Sequence, residues 1–253
     1  MTATTVPHRW GPHLAGVRQI EDVADVEWAR TKAVRIAVKE CALDRGLISV
    51  TGPVGVGKTF SVARAAERSA DLVDEVVWIE LSSAMRGRGL LASLYPQLAG
   101  GPAPKGASEA QLLAGLHDVV ADQHRLLIVD EAQHITLQAM HALRGLHSHP
   151  RADCGLVLIG TPVLADRMPP EIRSRCTRAV VFDRITDAEA PKVLTRYHPV
   201  FAEADRKVIV EVNRRYARGE FRWWAKLLVR INRYADDLDE LTIEVVEELR
   251  DGL

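Results

Sequence analysis

Cysteine is scarce in this chain, and neither sign of charge predominates. Its three cysteines, Cys41, Cys154 and Cys176, form no Cys-x-x-Cys pair and are odd in number. That excludes a disulfide framework and predicts three small core residues in a reduced, cytoplasmic protein. No run of 18 apolar residues occurs, and the opening MTATTVPHRWGPHLAG lacks a basic start leading into an apolar stretch. A soluble chain, neither exported nor bound to a membrane, is therefore expected. Lys and Arg total 33 against 34 Asp and Glu, a formal net charge of -1. With no global basic field, any contact to nucleic acid has to come from a local cluster. Internal repeats and low-complexity segments are also missing.

What is present is a chain of 253 residues with 47% apolar content, at the upper size for a single core. One large domain and one small one are expected: an N-terminal arm over 1–20, an α/β domain over 21–185 and a helical domain over 186–253. The arm carries prolines and glycines with little periodicity. After it, DVADVEWARTKAVRIAVKECALDRG repeats apolar residues at helical spacing up to Gly46. Four short apolar runs follow, LISVT (47–51), EVVWIEL (75–81), RLLIVD (125–130) and GLVLIG (155–160), with AVVFD (179–183) as a fifth. Near-continuous apolar strands separated by helices predict a parallel five-stranded sheet covered on both faces. The stretch AGGPAPKGAS (99–108) reads as a surface loop, and beyond about 186 the pattern is entirely helical.

The chemistry starts at Gly52-Pro53-Val54-Gly55-Val56-Gly57-Lys58-Thr59, which fits G-x-x-x-x-G-K-[ST] between a strand and a helix. Glycines there let successive backbone N–H groups face one point, where the helix N-terminus adds partial positive charge. The point is a phosphate site, extending through Phe60. Lys58 would reach the β- and γ-phosphates of ATP, and the Thr59 hydroxyl would join the Mg2+ shell. In RLLIVDEAQHI, Asp130 ends an apolar strand, where it can hold Mg2+ through water, and Glu131 can orient and deprotonate the attacking water. That acidic pair favours hydrolysis over a kinase or a monomeric switch. Thr161, ending the next strand, would place a hydroxyl near the γ-phosphate. Arg173, Arg175 and Arg178 crowd ahead of the fifth strand, either as a solvated face or as an arginine finger offered to a neighbouring subunit.

Taken in order, GPVGVGKT, LLIVDEAQHI, LVLIGTP, EIRSRC and GEFRWWAKLL resemble an AAA+ ATPase: a P-loop three-layer α/β sandwich followed by a small helical lid. DEAQHI and LIGTP resemble more narrowly the bacterial transposition regulators of the Mu B, TniB and TnsC type, together with ExeA-like and insertion-sequence helper ATPases. The resemblance spans about residues 22–235. It implies Thr161 at the sensor-1 position, Arg175 as the finger with Arg173 as its fallback, Arg222 at the sensor-2 position, and a switch contact from Ser82 or Ser83. It also implies a ring or helical filament that assembles with ATP on duplex DNA without reading sequence, recruits a transposase and disassembles on hydrolysis. Arg86, Arg88 and Lys105, following the second strand, would then meet the DNA backbone. Neither end carries a helix-turn-helix pattern, a departure from Mu B. The alternative is a remodelling or loader ATPase acting on a protein partner. His134, His141, His147 and His149 lack metal-ligand spacing and read as surface residues. Of Trp223 and Trp224, one is expected in the core of the lid.

Overall fold

The computed structural model describes residues 24–81, 85–234, 238 and 240–250. The expected N-terminal arm and the residues Ser82 and Ser83 lie outside the described residues. Two compact units are formed, one from Ala33–Gly52 and Lys58–Val181, the other from residues 24–32, Pro53–Gly57 and the chain from Phe182 onward.

The first unit is built on a sheet of five parallel strands: β1 (Leu47–Thr51), β2 (Glu75–Glu80), β3 (Arg125–Asp130), β4 (Cys154–Gly160) and β5 (Cys176–Val181). Their spatial order is β2-β3-β4-β1-β5. Every residue of β1, β3 and β4 is buried, as near-continuous apolar runs demand of strands covered on both faces. The chain leaves β1 for the far edge and returns strand by strand to its side, so the tips of β3, β4 and β1 are neighbours. Ligands of open α/β sheets bind at this reversal.

Helix α1 (Ala29–Asp44) brings Val34, Ala37, Val38 and Cys41 into the core, and α2 (Lys58–Glu67) follows the glycine-rich turn. Helices α3 (Gly87–Leu98), α4 (Glu109–Ala121) and α5 (Leu137–His147) share one cluster with β2, β3 and β4 through Leu90, Leu94, Leu112, Leu116, Leu143 and Leu146. Ser108 caps α4 by accepting the Gln111 N–H, and Gln111 returns the bond to the Ser108 N–H, which fixes where the 99–108 loop ends. Two short helices, α6 (Pro162–Arg167) and α7 (Pro170–Arg173), each opened by a proline, join β4 to β5.

The second unit is helical: α8 (Ala190–Leu194), α9 (Pro199–Glu203), α10 (Arg206–Val212), a wide π-type turn over Asn213–Ala217, α11 (Phe221–Tyr234) and α12 (Ile243–Leu249). Trp224 is fully buried at its centre, edge-on to Phe201, with its indole N–H donating to Asn213 Oδ1 at 3.3 Å. Trp223 instead stacks on Tyr216, so only one of the paired tryptophans is a core residue.

Three local expectations need correction. The helix read from Val23 starts at Ala29; before it, the Ala24 N–H donates to the Tyr197 carbonyl and Val26 is buried among the helices of the second unit. Its stop is Arg45, which takes the left-handed conformation at φ 54°, one residue before Gly46. The fifth strand covers 176–181 and not 179–183, because Phe182 leaves the sheet to pack edge-on against Trp28.

Candidate nucleotide site

The glycine-rich turn adopts the conformation its sequence requires. Gly55 and Gly57 hold φ of 81° and 102°, values that side-chain-bearing residues rarely adopt. The Gly52 N–H donates to the Gly160 carbonyl at 3.2 Å, tying the start of the turn to the tip of β4. Val56 is buried and anchors the turn, whereas Val54 is 57% exposed at its apex. Lys58, first residue of α2, donates from Nζ to the Gly52 carbonyl at 2.8 Å. The ammonium group therefore lies along the inside of the turn, beside the helix N-terminus. Phe60 is half-buried with the Arg64 guanidinium over its ring at 5.7 Å. Within the helical unit the Arg222 N–H donates to the Gly55 carbonyl at 2.8 Å, which puts Arg222 at the apex of the turn.

Asp130 ends β3 with only 5% of its surface exposed. Burial pushes its carboxyl up from the usual carboxylate range to about 6; hydrogen bonds from the Glu131 N–H and the Thr59 hydroxyl oppose that rise, and the Glu131 and Glu80 carboxylates add to it. A half-dehydrated carboxylate paired with a hydroxyl is the donor set of a hard divalent cation. Thr59 and Asp130 thus fit Mg2+, and the glycine-rich turn fits a phosphate chain. Glu80, opposite Asp130 in the β2–β3 register, is an acid of this site that the motif-based reading passed over.

Glu131 follows in the left-handed conformation, φ 54°. The turn is closed by the Glu131 N–H donating to Asp130 Oδ1 at 2.8 Å and by the His134 N–H donating to the Glu131 carbonyl at 3.0 Å. Gln133 also belongs here, since its amide reaches both the Glu131 carboxylate and the Thr161 N–H. Thr161 itself is the N-cap residue before α6, just past the tip of β4, and its side chain makes no capping hydrogen bond there.

The two finger candidates differ in their bonding. Arg173 donates to the Ala165 and Met168 carbonyls at 2.7 and 3.2 Å, closing the C-terminal end of α6. Arg175 is exposed and reaches the Ser148 hydroxyl at 3.4 Å. Arg178 is ion-paired with Glu40 at 2.8 Å, which removes it from the comparison.

Of the basic residues after β2, Arg86 is the exposed N-cap of α3. Arg88 is exposed too and donates from Nε to the Ala107 carbonyl at 2.8 Å; Lys105 is exposed on the same 99–108 loop. Glu109 lies against the residue between the two arginines: a methyl group on Gly87 would lie 2.6 Å from its Oε2, which also accepts from Gln138 Nε2 at 3.3 Å. The adjoining Met85 is stitched to the loop beyond Glu131, its N–H donating to the His134 carbonyl at 3.4 Å and its carbonyl accepting from the Thr136 N–H and hydroxyl at 3.3 and 2.8 Å.

The histidines hold no metal arrangement: among the described residues no group of three or more His, Cys, Asp or Glu is placed to bind one. His147 meets the Arg45 carbonyl, His149 stacks on His117, and His141 lies 3.6 Å from Glu171. Nor is any described helix long and apolar enough to cross a membrane.

The chain is similar to known proteins. Over 171 residues the chain is 29% identical to the Mu-like prophage FluMu DNA transposition protein B of Haemophilus influenzae, covering 66% of this chain and 55% of that protein. It thus spans little more than half of that relative's length. Among solved structures, Cdc6p of Pyrobaculum aerophilum superposes with a TM-score of 0.73 at 16% identity, covering 93% of this chain and 70% of that one. The Drosophila ORC bound to DNA gives 0.64 at 18% identity, covering 98% and 68%. At such identities the structural likeness establishes the fold. Residues 42–168, half of the chain, match the family described as the AAA domain, and the chain belongs to that family of AAA+ ATPases.

Proposed function

We propose that the chain is an ATP-controlled regulator of DNA transposition that oligomerises on duplex DNA and releases it on hydrolysis. Glu131 is the general base, accepting a proton from the water that attacks the γ-phosphate. Lys58 and the N–H groups of the turn bind the phosphates, and Thr59 and Asp130 hold Mg2+, which supplies charge neutralisation on the phosphate oxygens when bound. Thr161 senses the γ-phosphate from the tip of β4, and Arg222, whose N–H donates to the Gly55 carbonyl, meets the nucleotide at the turn. Arg175 is offered to the nucleotide of the next subunit, because Arg173 is committed to α6.

One observation carries the DNA half of this reading: the basic start of α3 is hydrogen-bonded through Met85 to the loop that bears Glu131. Backbone contacts by Arg86, Arg88 and Lys105 would thereby bear on the hydrolytic loop. The similarity to a DNA transposition protein B supports the same reading. Two or three cations on a chain of net charge -1 bind DNA weakly alone, so assembly has to sum them into a continuous track. A transposase is then the partner recruited by the assembled form.

The test is duplex binding by anisotropy with a non-hydrolysable ATP analogue and without nucleotide. Binding should need the analogue, ignore sequence and weaken steeply with salt. Arg86→Ala with Arg88→Ala should lower affinity about tenfold or more and flatten the dependence of log K on log salt by roughly 2 per subunit. Absence of analogue-stimulated binding at about 50 mM salt, where such contacts are strongest, would replace this reading by a protein-directed ATPase.

A further inference from the structure

Gln133 stands where two strand tips meet. Its side-chain N–H donates to Glu131 Oε2, and its Oε1 accepts the Thr161 N–H at 3.1 Å. One planar amide thus joins the end of β3 to the first residue beyond β4. The fit is close, since a methyl group on Gly160 would lie 2.9 Å from Gln133 Oε1. Glu131 itself occupies the left-handed region, which a non-glycine residue keeps only where its surroundings hold it. The backbone bonds to Asp130 and His134 fix its main chain. Its carboxylate is fixed by Gln133. Oε2 takes the amide N–H, and the carboxylate keeps further acceptor capacity for a proton.

We propose that Gln133 is a positioning residue of the hydrolytic reaction, locking the Glu131 carboxylate to the tip of β4 so that the base and the Thr161 end of the strand move as one body. The proposal rests on Glu131 being the general base. It requires a side chain that donates and accepts at once, which the Gln133 amide does within one planar group. Glutamate at 133 can still accept the Thr161 N–H, but it repels Glu131. The two halves of the bridge are therefore separable.

The experiment uses the full chain and two readouts. In steady-state turnover, Gln133→Ala should lower kcat about tenfold to a hundredfold with KM for ATP changed less than twofold, as expected when a base is displaced by about 1 Å and nucleotide contacts survive. Gln133→Glu should lower kcat at least as far. In hydrogen exchange on the nucleotide-free chain, the Thr161 amide should exchange at least about tenfold faster in Gln133→Ala and keep wild-type protection in Gln133→Glu, which retains the acceptor. Wild-type or raised kcat in Gln133→Ala overturns the proposal, as does unchanged exchange at Thr161 in that variant. The base assignment is tested apart from it by Glu131→Gln: normal hydrolysis there removes both ideas. Lost hydrolysis there beside normal hydrolysis in Gln133→Ala removes the positioning role alone.

Discussion

Replacing Asp130 by asparagine should make the metal-free protein more stable while abolishing its response to Mg·ATP. The carboxyl is 5% exposed and its pKa is pushed up to about 6 from 3.8, with burial as the main cause. A raised folded-state pKa means that between about pH 4 and 6 the native state binds more protons than the unfolded one. Stability from this group is then highest below the unfolded value, falls as pH rises through that window, and stays reduced above it. Two units at 1.36 kcal/mol each put the cost at about 3 kcal/mol at neutral pH. Asparagine keeps an acceptor for the Thr59 hydroxyl and the Glu131 N–H without the charge. With about 1 kcal/mol allowed for burying its own amide, Asp130→Asn should gain about 2 kcal/mol, or 4–8 °C in Tm for a chain of this size. Urea and thermal denaturation in EDTA at pH 8, followed by circular dichroism, measure the gain. At pH 5 more than half of it should vanish, because the wild-type carboxyl is largely protonated there. Added Mg·ATP should reverse the order, stabilising the wild type and leaving the variant unmoved. An Asp130→Asn protein less stable than wild type in EDTA at pH 8, or a difference independent of pH, would refute the reasoning.

Other outcomes follow from the same contacts. Gly155→Ala places a methyl group 2.5 Å from the Cys41 carbonyl and should cost about 3 kcal/mol or prevent folding, read by urea denaturation. Arg173→Ala should cost about 1 kcal/mol through the carbonyls it leaves at the end of α6. Arg175→Ala should leave stability within about 0.5 kcal/mol yet lose turnover by roughly a thousandfold, with partial recovery on mixing with Lys58→Ala protein; full activity of Arg175→Ala alone excludes the finger. Glu109→Gln removes the acid beside Gly87, between Arg86 and Arg88, and should raise duplex affinity in the anisotropy assay; unchanged affinity would move the DNA contacts elsewhere.

The buried strands were legible because burial on both faces leaves them no choice of composition. LISVT and RLLIVD match their strands at both ends, and GLVLIG misses one residue. The errors fall where an apolar residue answers to a different neighbour than the sheet or helix it adjoins in sequence. Val26 fits the helical period of the residues after it, yet it is buried with Tyr197 and Trp224. Val181 and Phe182 read as strand interior, but β5 is an edge strand with four of its six residues exposed, and Phe182 serves Trp28. Period and propensity describe a segment's own faces, and these residues are placed by partners far along the chain.

The nucleotide site divides in the same way. The glycine-rich turn and the Asp130–Glu131 pair are each contiguous, so a motif is enough to nominate them as candidates. Gln133 and Glu109 carry no such signature. Gln133 becomes part of the site only because Glu131 turns through the left-handed region, which swings the second residue after it toward Thr161, 28 positions away. Glu109 comes against Gly87, at the basic start of α3, only because the 99–108 loop folds back. Both roles arise from a backbone reversal and not from a pattern of side chains. A search for further residues acting on Glu131 should accordingly start from what packs on the 131–136 loop, with Met85 and Thr136 first.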